Sequence, residues 1–275
     1  MLDGYQDIRM QRSRGEALVA FDHRGGKTRL VTLRQSGSAR AMFPRVGGPV
    51  PDVVFLNTSG GLTGGDRLVY GLDLGQSAAV CATTQTAERG YSSLGAPADV
   101  RVTATLGAAA RLDWMPQETL LYEDSNLARS TVFDLDPSAS CLMSETIVLG
   151  RHAMGEHPKR ALLRDHRMVR RAGRPVWAET LVLDAQILAS LSPAVLGGAR
   201  AMTVTVLIAA GAADAVSAVR AVLQDADCQS AVSGWDGKCV VRLLAPDGWP
   251  LKRQLARVLA VLTGRPLPRV WQFGG

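Results

Sequence analysis

The chain has 275 residues, of which 47% are hydrophobic and 20% charged, a balance too apolar for disorder and sufficient for a sizeable core. Its net charge of +6 admits acidic partners or nucleic acid, although an Arg-, Ala- and Gly-rich composition yields the same excess without any anion-binding role. Cys81, Cys141, Cys228 and Cys239 stand far apart with no CxxC spacing, which fits buried reduced thiols better than a disulfide framework or a zinc knuckle.

The N-terminal stretch MLDGYQDIRMQRSRGEALV has no apolar run behind a basic start, so no secretory signal is expected. Val204 to Ala213 is the longest apolar run and falls short of the ~18 to 20 residues of a spanning helix. The expectation is a soluble, cytoplasmic protein that engages no membrane.

In chain order, Ala17–Phe21 and Thr28–Arg34 read as strands joined by a turn at Asp22–Gly26. The GGKT at Gly25–Thr28 lacks the earlier glycine of a phosphate loop, Phe21 standing in its place, so a hairpin is predicted. Ala41–Pro51 is rich in Pro and Gly and reads as a loop. Asp52–Asn57 is a strand leading into the stretch that dominates the chain, where Gly60, Gly61, Gly64 and Gly65 precede Asp66. Such density of glycine serves a backbone with positive φ or in close approach to another surface. Further short strands follow at Arg67–Leu74, Ala78–Thr84, Val100–Leu106, Ala109–Trp114, Ser130–Asp136 and Cys141–Leu149, broken by turns such as Leu94–Pro97. His166–Arg171 and Val176–Asp184 read as a hairpin closed by Ala172–Pro175, and Ala201–Ala210 as another strand. Regular alternation of strands and turns predicts an all-β layout rather than βαβ units.

The period changes only near the C-terminus. Ala213–Leu223 has mixed helical spacings, and Leu251, Leu255, Val258, Leu259 and Leu262 fall at i, i+4, i+7, i+8 and i+11. Pro266 and Pro268 stop the second helix. The fold class expected is mainly β, an elongated stack of strands, β-helix-like or sandwich-like, with two α-helices in the C-terminal third. No internal sequence repeat or low-complexity linker is visible, so residues 1–275 are read as one domain.

Familiar catalytic signatures are absent: there is no GxSxG, HExxH or GxGxxG. His152, Glu156 and His157 suit nickel or zinc by ligand type. Their spacing does not place them on one helical face, and either a metal-dependent site or a polar surface turn remains open. Lys159 to Arg174 carries seven basic residues against Asp165, either an anion or partner surface or a solvated strand face. Nucleic-acid binding would call for interleaved aromatics, and only Trp177 is near, so no nucleic acid is expected.

Five blocks then carry a resemblance. Asn57-Thr58-Ser59-Gly60-Gly61-Leu62-Thr63-Gly64-Gly65-Asp66, Thr83-Thr84-Gln85-Thr86-Ala87-Glu88-Arg89, Trp114-Met115-Pro116-Gln117-Glu118-Thr119, Gly150-Arg151 through Gly155-Glu156, and Pro268-Arg269-Val270-Trp271 resemble, in order and over nearly the whole chain, the motif series of the urease accessory protein D family, also called H. The resemblance implies a mainly β assembly factor without catalytic residues. It implies a scaffold that binds apo-urease, recruits the F accessory protein and through it the G GTPase, and helps nickel reach the urease active site. No tightly bound cofactor is implied, only nickel in transit through an internal channel.

Under that resemblance Asp66, Glu88, Glu145 and Glu179 are candidate carboxylates of a transient nickel passage, with Thr83 and Thr84 as hydroxyl lining. Weak oxygen contacts release a cation more readily than thiolates do. Structural pairing of the same carboxylates with Arg stays open. Gly60, Gly61, Gly64 and Gly65 are expected in a close-packed turn that brings Asp66 near Thr83, Thr84 and Glu88 at the mouth of the passage. Leu255, Leu259, Leu262, Leu267 and Trp271 form either a face docked on the β body or an exposed contact for the F protein.

Overall fold

The computed structural model describes residues 11–45, 48–93 and 95–272. The readings placed on residues 1–10, on Val46 and Gly47 of the Pro/Gly loop and on Leu94 lie outside these residues.

The chain begins with a long hairpin, β1 (Arg14–Arg24) and β2 (Lys27–Gly37), turned at Gly25 and Gly26, followed by β3 (Ala39–Met42) and β4 (Asp52–Asn57). Next come β5 (Arg67–Leu74), β6 (Ala79–Thr84), β7 (Glu88–Gly90), β8 (Ala98–Leu106), β9 (Arg111–Trp114) and β10 (Thr119–Leu121). β11 (Asn126–Leu135), β12 (Ser140–Leu149), β13 (Leu162–Arg171) and β14 (Arg174–Leu183) complete the middle. A short helix, α1 (Ala185–Ala189), precedes β15 (Ala201–Ile208). α2 (Ala215–Val222), β16 (Gln229–Trp235), β17 (Lys238–Ala245) and α3 (Gly248–Thr263) end the chain.

These strands wind into a solenoid-like stack. One sheet runs β14-β13-β11-β8-β5-β1-β2; the other runs β16-β17-β15-β12-β9-β6-β4-β3, with β7 and β10 beside it. The middle of each is parallel: β1, β5, β8, β11 and β13 in the first, β4, β6, β9 and β12 in the second. Successive turns of chain stack in register, since Val53 pairs with Ala82, Ala82 with Trp114 and Trp114 with Met143. Each turn uses about 30 residues, within the range of solenoid repeats. A third, narrow ladder of Leu62, Gly90, Leu121 and Leu149 closes the side between the sheets. Antiparallel hairpins terminate the stack at β1/β2, β13/β14 and β15/β17/β16.

Burial follows the period of two. On β8, Ala98, Val100, Val102, Ala104 and Leu106 face the opposite sheet while the residues between them face out. β12 is buried on both sides: Cys141, Met143, Ile147 and Leu149 pack between the sheets, whereas Leu142 and Val148 pack against the helical layer. A strand covered on both faces loses alternation and reads as a nearly continuous apolar run.

α3 supplies that cover. The Asp247 carboxylate accepts from the Gly248 N–H, Gly264 closes the other end at φ 65°, and Leu251, Leu255, Val258, Leu259 and Leu262 are buried as their spacing predicts. Gln254, also buried, accepts from the N–H groups of Gln224 and Asp225 and donates to the Val222 carbonyl, tying down the end of α2. Trp271 is 2% exposed and its indole N–H donates to the Met115 carbonyl at 2.9 Å. The tail is therefore docked on the β body, and the expectation of Trp271 as a partner contact is corrected: its ring is inside the chain's own core. α1 is an addition to the two helices expected. At five residues it is too short for amphipathic spacing to reveal, and the Asp184 side chain caps its first turn.

The glycine stretch is the connection from β4 to β5 around which the next turn of chain closes. Gly61 has φ 152°, and a Cβ there would lie 2.8 Å from the Arg89 carbonyl; a Cβ on Gly64 would overlap Ser93 Oγ and the Ala96 carbonyl. The Asp66 carboxylate accepts from the N–H groups of Thr63 (2.8 Å) and Ser13 (2.7 Å), which fixes the turn to the start of β1. Gly64→Ala is expected to cost about 1–3 kcal/mol, because the backbone oxygen of Ala96 cannot yield. Gly25→Asn, at an open hairpin position with φ 58°, is expected to change little; thermal melting of the two variants checks the contrast.

Candidate functional site

Between the two sheets lie three cavities that share walls. The first, at the β4–β5 turn, has a volume of about 40 Å³ and includes Asn57, Gly60, Thr84 and Glu88 in its lining. The second, also about 40 Å³, shares Tyr70, Thr84 and Glu88 with it and continues past Trp114, Gln117, Arg129 and Glu145. The third, about 290 Å³, begins at Glu145 and is lined by Arg167, Glu179, Thr203 and Arg242. The two narrower cavities have room for one to a few waters each. The side-chain amide nitrogen of Gln117 is buried there without a hydrogen-bond partner, the mark of a group that solvent or a ligand satisfies.

The strand period decides which side chains reach this space. Thr84 lies on the same face of β6 as Val80 and Ala82, and its hydroxyl accepts from the Gln117 N–H at 2.9 Å. Thr83 faces the other way. It is fully buried toward the helical layer, donating to the same Met115 carbonyl that Trp271 uses, at 2.7 Å. The expectation of Thr83 as lining is therefore corrected: consecutive strand residues point to opposite faces. Asp66 is also absent from the cavity walls, since both its oxygens accept backbone hydrogen bonds in the turn. Of the four glycines only Gly60 lines a cavity; Gly61, Gly64 and Gly65 shape the turn beside it.

Glu88 stands where the first two cavities meet. Its carboxylate accepts from Asn57 Nδ2 at 3.3 and 3.4 Å and from the Arg89 N–H at 3.1 Å, and among the described residues it has no ion-pair partner. Burial pushes its pKa up to about 7 against these hydrogen bonds and the Arg89 charge, with a smaller upward push from Asp66.

The other two passage carboxylates are neutralised. Glu145, 2% exposed, accepts from the Trp114 indole N–H at 2.9 Å and pairs with Arg129 Nη1 at 2.7 Å. Arg129 also reaches Asp165 through Nε at 3.0 Å and Nη2 at 2.6 Å. Asp165 pairs in turn with Arg167, which bonds Glu179 at 3.2 Å, and Glu179 meets Arg242 at 2.8 Å. Three arginines and three carboxylates thus form one charge-balanced chain that runs from the buried Glu145 out to the exposed Arg242. Burial pushes the Asp165 carboxyl up, but Arg129 and Arg167 outweigh it and hold it down at about 2. Burial likewise works against the Arg129 charge, and Asp165 and Glu145 outweigh it.

The loop carrying His152, Glu156 and His157 lies apart from these cavities. Glu156 Oε2 pairs with Arg151 Nε at 2.7 Å and its Oε1 accepts from the Glu123 N–H; His152 Nδ1 meets Arg200 Nη1 at 2.8 Å; His157 is exposed. Among the described residues no three His, Cys, Asp or Glu side chains gather closely enough to hold a metal ion. No helix among them is long and apolar enough to cross a membrane.

Sequence reasoning singled out Thr84, Glu88, Glu145 and Glu179 but missed Arg129, Asp165, Arg167 and Arg242. A signal for the first three existed: Arg129 shares strand parity with Leu127 and Phe133, and Asp165 and Arg167 with Leu163 and Val169. Charge at inward-facing positions is the pattern to look for.

A β-solenoid with ion-paired cavities between its sheets and a helical layer on one of them is the class that fold and site define. The sequence profile described as "UreD urease accessory protein" matches residues 13–272. The chain is 54% identical over 264 residues to the urease accessory protein UreD of Cereibacter sphaeroides (strain ATCC 17025 / ATH 2.4.3), covering 96% of each. It is 49% identical over 273 residues to that of Paracoccus denitrificans (strain Pd 1222), covering 99% of this chain and 96% of the relative. To that of Methylobacterium sp. (strain 4-46) it is 40% identical over 271 residues, covering 96% of each. The chain belongs to the UreD urease accessory protein family.

The folded chain holds a proton on Glu88 up to about pH 7, while the ordinary carboxyl releases it near 4.5. The folded state therefore binds more protons in this window, and stability falls as pH rises through it. Glu88→Gln keeps the shape and removes the titration. It is expected to match the parent chain near pH 4.5 and to exceed it by roughly 1–3 kcal/mol at pH 8 in denaturant unfolding. An equal loss of stability at both pH values would show that Glu88 is held in its charged form.

Proposed function

We infer that this chain is a urease maturation factor, a non-catalytic scaffold that binds apo-urease together with the F accessory protein and, through it, the G GTPase. In that assembly it assists insertion of nickel into the urease active site, and nickel is cargo in transit along the inter-sheet passage. The observation that carries the reading is the shared walls of the three cavities: Tyr70, Thr84 and Glu88 belong to the first two, and Glu145 to the second and third.

The donor set suits transit. Glu88, Thr84, Asn57 and Glu145 offer oxygen ligands to a divalent cation, and hard oxygen ligands hold nickel more loosely than thiolates. The narrow cavities would admit a cation only after it sheds part of its hydration shell, for which backbone and side-chain oxygens substitute. The cysteines stand aside: burial pushes the Cys81 and Cys141 thiols up to about 12, which keeps them protonated and poor ligands.

The test is a urease-producing cell lacking this gene, complemented with the parent chain or with variants. Loss of the gene is expected to leave apo-urease abundance unchanged while urease activity and nickel content collapse. Thr84→Trp, which fills the junction of the first two cavities, is expected to lower nickel per urease active site by at least about tenfold. Thr105→Trp on the solvent face of β8 is expected to restore full activation. Full activation by a folded Thr84→Trp chain would remove the passage from the mechanism while leaving the scaffold role standing.

A further inference from the structure

Glu145 is the only residue that lines both the second and the third cavity. A cation moving along this shared wall meets its carboxylate, and that carboxylate is already paired with a guanidinium. Arg129 Nη1 sits 2.7 Å from Glu145 Oε2, so an arginine stands where a cation in transit would be bound.

The way Arg129 is held is unequal. Toward Asp165 it makes two bonds, Nε to Oδ1 and Nη2 to Oδ2, the fork-on-carboxylate geometry that resists displacement. Its Nη1 also donates to Thr119 Oγ1 at 3.1 Å. Toward Glu145 it makes a single contact. Glu145 in turn has a second anchor: its Oε1 accepts from the Trp114 indole N–H, with Thr131 Oγ1 at 3.4 Å. Breaking the Arg129–Glu145 contact therefore leaves Arg129 on its two bonds to Asp165 and Glu145 on the neutral donors Trp114 and Thr131.

Resting on the passage reading, we propose that Arg129 is an internal counter-cation that closes the passage at Glu145 and yields that carboxylate to an entering divalent cation, with Asp165 as the positioning residue that retains the guanidinium. The exchange favours a doubly charged ion, because attraction to a carboxylate in a poorly screened interior scales with the charge of the ion. A monovalent ion has no such advantage over the guanidinium it would displace. The exchange is also self-limiting. Once Glu145 has turned to the cation, Arg129, Arg167 and Arg242 face only Asp165 and Glu179, and the unbalanced positive charge drives the ion onward. Arg129 returns to Glu145 when the ion leaves.

The experiment is equilibrium dialysis of the purified full chain against Ni²⁺ alone, with folding followed by circular dichroism. The parent chain is expected to bind weakly, and Arg129→Gln, which leaves Glu145 without its guanidinium, to bind at least about tenfold more tightly. The double variant Arg129→Gln/Glu145→Gln is expected to lose that gain. Should Arg129→Gln fail to fold, Arg129→Lys serves instead, because one ammonium on a shorter side chain cannot satisfy both carboxylates and must leave one open. No gain of nickel binding in the folded variant, or a gain that survives Glu145→Gln, overturns the proposal. Either outcome leaves the passage itself standing, since that depends on the Thr84→Trp result in cells.

Discussion

The guanidinium of Arg129, buried between Asp165 and Glu145, is the interaction to which the rest of the interior answers. Bringing these three charges out of water costs several kcal/mol for each ion, and even good pairing recovers that only in part. Well-packed apolar residues of the same volume would serve stability at least as well. Once one charge is inside, however, the others are obligatory, since an unpaired buried charge is more costly still. Arg129 requires Asp165, Asp165 draws in Arg167, Arg167 shares Glu179, and Glu179 reaches Arg242 on β17. The chain of pairs therefore ties β11, β12 and β13 of the solenoid to the terminal hairpins. A β-solenoid can fill its interior with stacked aliphatic side chains. An ionic interior is the departure from that pattern.

The solenoid itself makes room for the cavities. Stacked turns hold two sheets at a fixed separation, and the side chains inside decide whether the gap is filled. Large residues such as Phe21, Phe55, Phe133 and Trp114 close most of it. Along the line from Glu88 to Glu179, threonine, glutamine and paired charges interrupt a lining that is otherwise apolar, with Tyr70, Val102, Met202 and Leu243 among its walls. The same line runs beside the sequence blocks that stand out in the chain. Thr83, Met115 and Trp271 meet at one carbonyl, Thr84 meets Gln117, and Trp114 meets Glu145. The blocks are distant in sequence and adjacent in space because successive turns stack in register.

Much of this was legible in the residues. Most of the strands, the β1/β2 and β13/β14 hairpins and both longer helices follow from period, glycine turns and caps, whereas β3 and the β16/β17 hairpin were not read from the sequence. A β-helix-like stack was among the expectations, but no repeat marks its turns, because turns of about 30 residues share geometry without sharing sequence: Val53, Ala82, Trp114 and Met143 occupy one column with four different side chains. The third ladder was hidden for another reason, since β7 and β10 are three residues long and carry no period at all. At the site, Thr84 and Thr83 have equal chemistry, and only the phase of β6 separates lining from core. Glu145 and Glu179 were visible as carboxylates, but their neutralisation depends on partners contributed by other strands, which no local pattern contains.

That neutralisation changes what the three carboxylates do. Glu145 and Glu179 carry charges already balanced by arginine, so a cation reaching them competes with a guanidinium rather than meeting a vacant ligand. Glu88 has no such competitor among the described residues, and burial raises its pKa to about 7, so near neutral pH it is divided between its charged and protonated forms. Neither arrangement makes a strong metal site. A strong site needs several deprotonated ligands converging on one point, whereas here the ligands are strung out singly, one with its pKa raised by burial and two paired with arginine. Ion pairing keeps the affinity of Glu145 and Glu179 for a cation low without removing their negative charge.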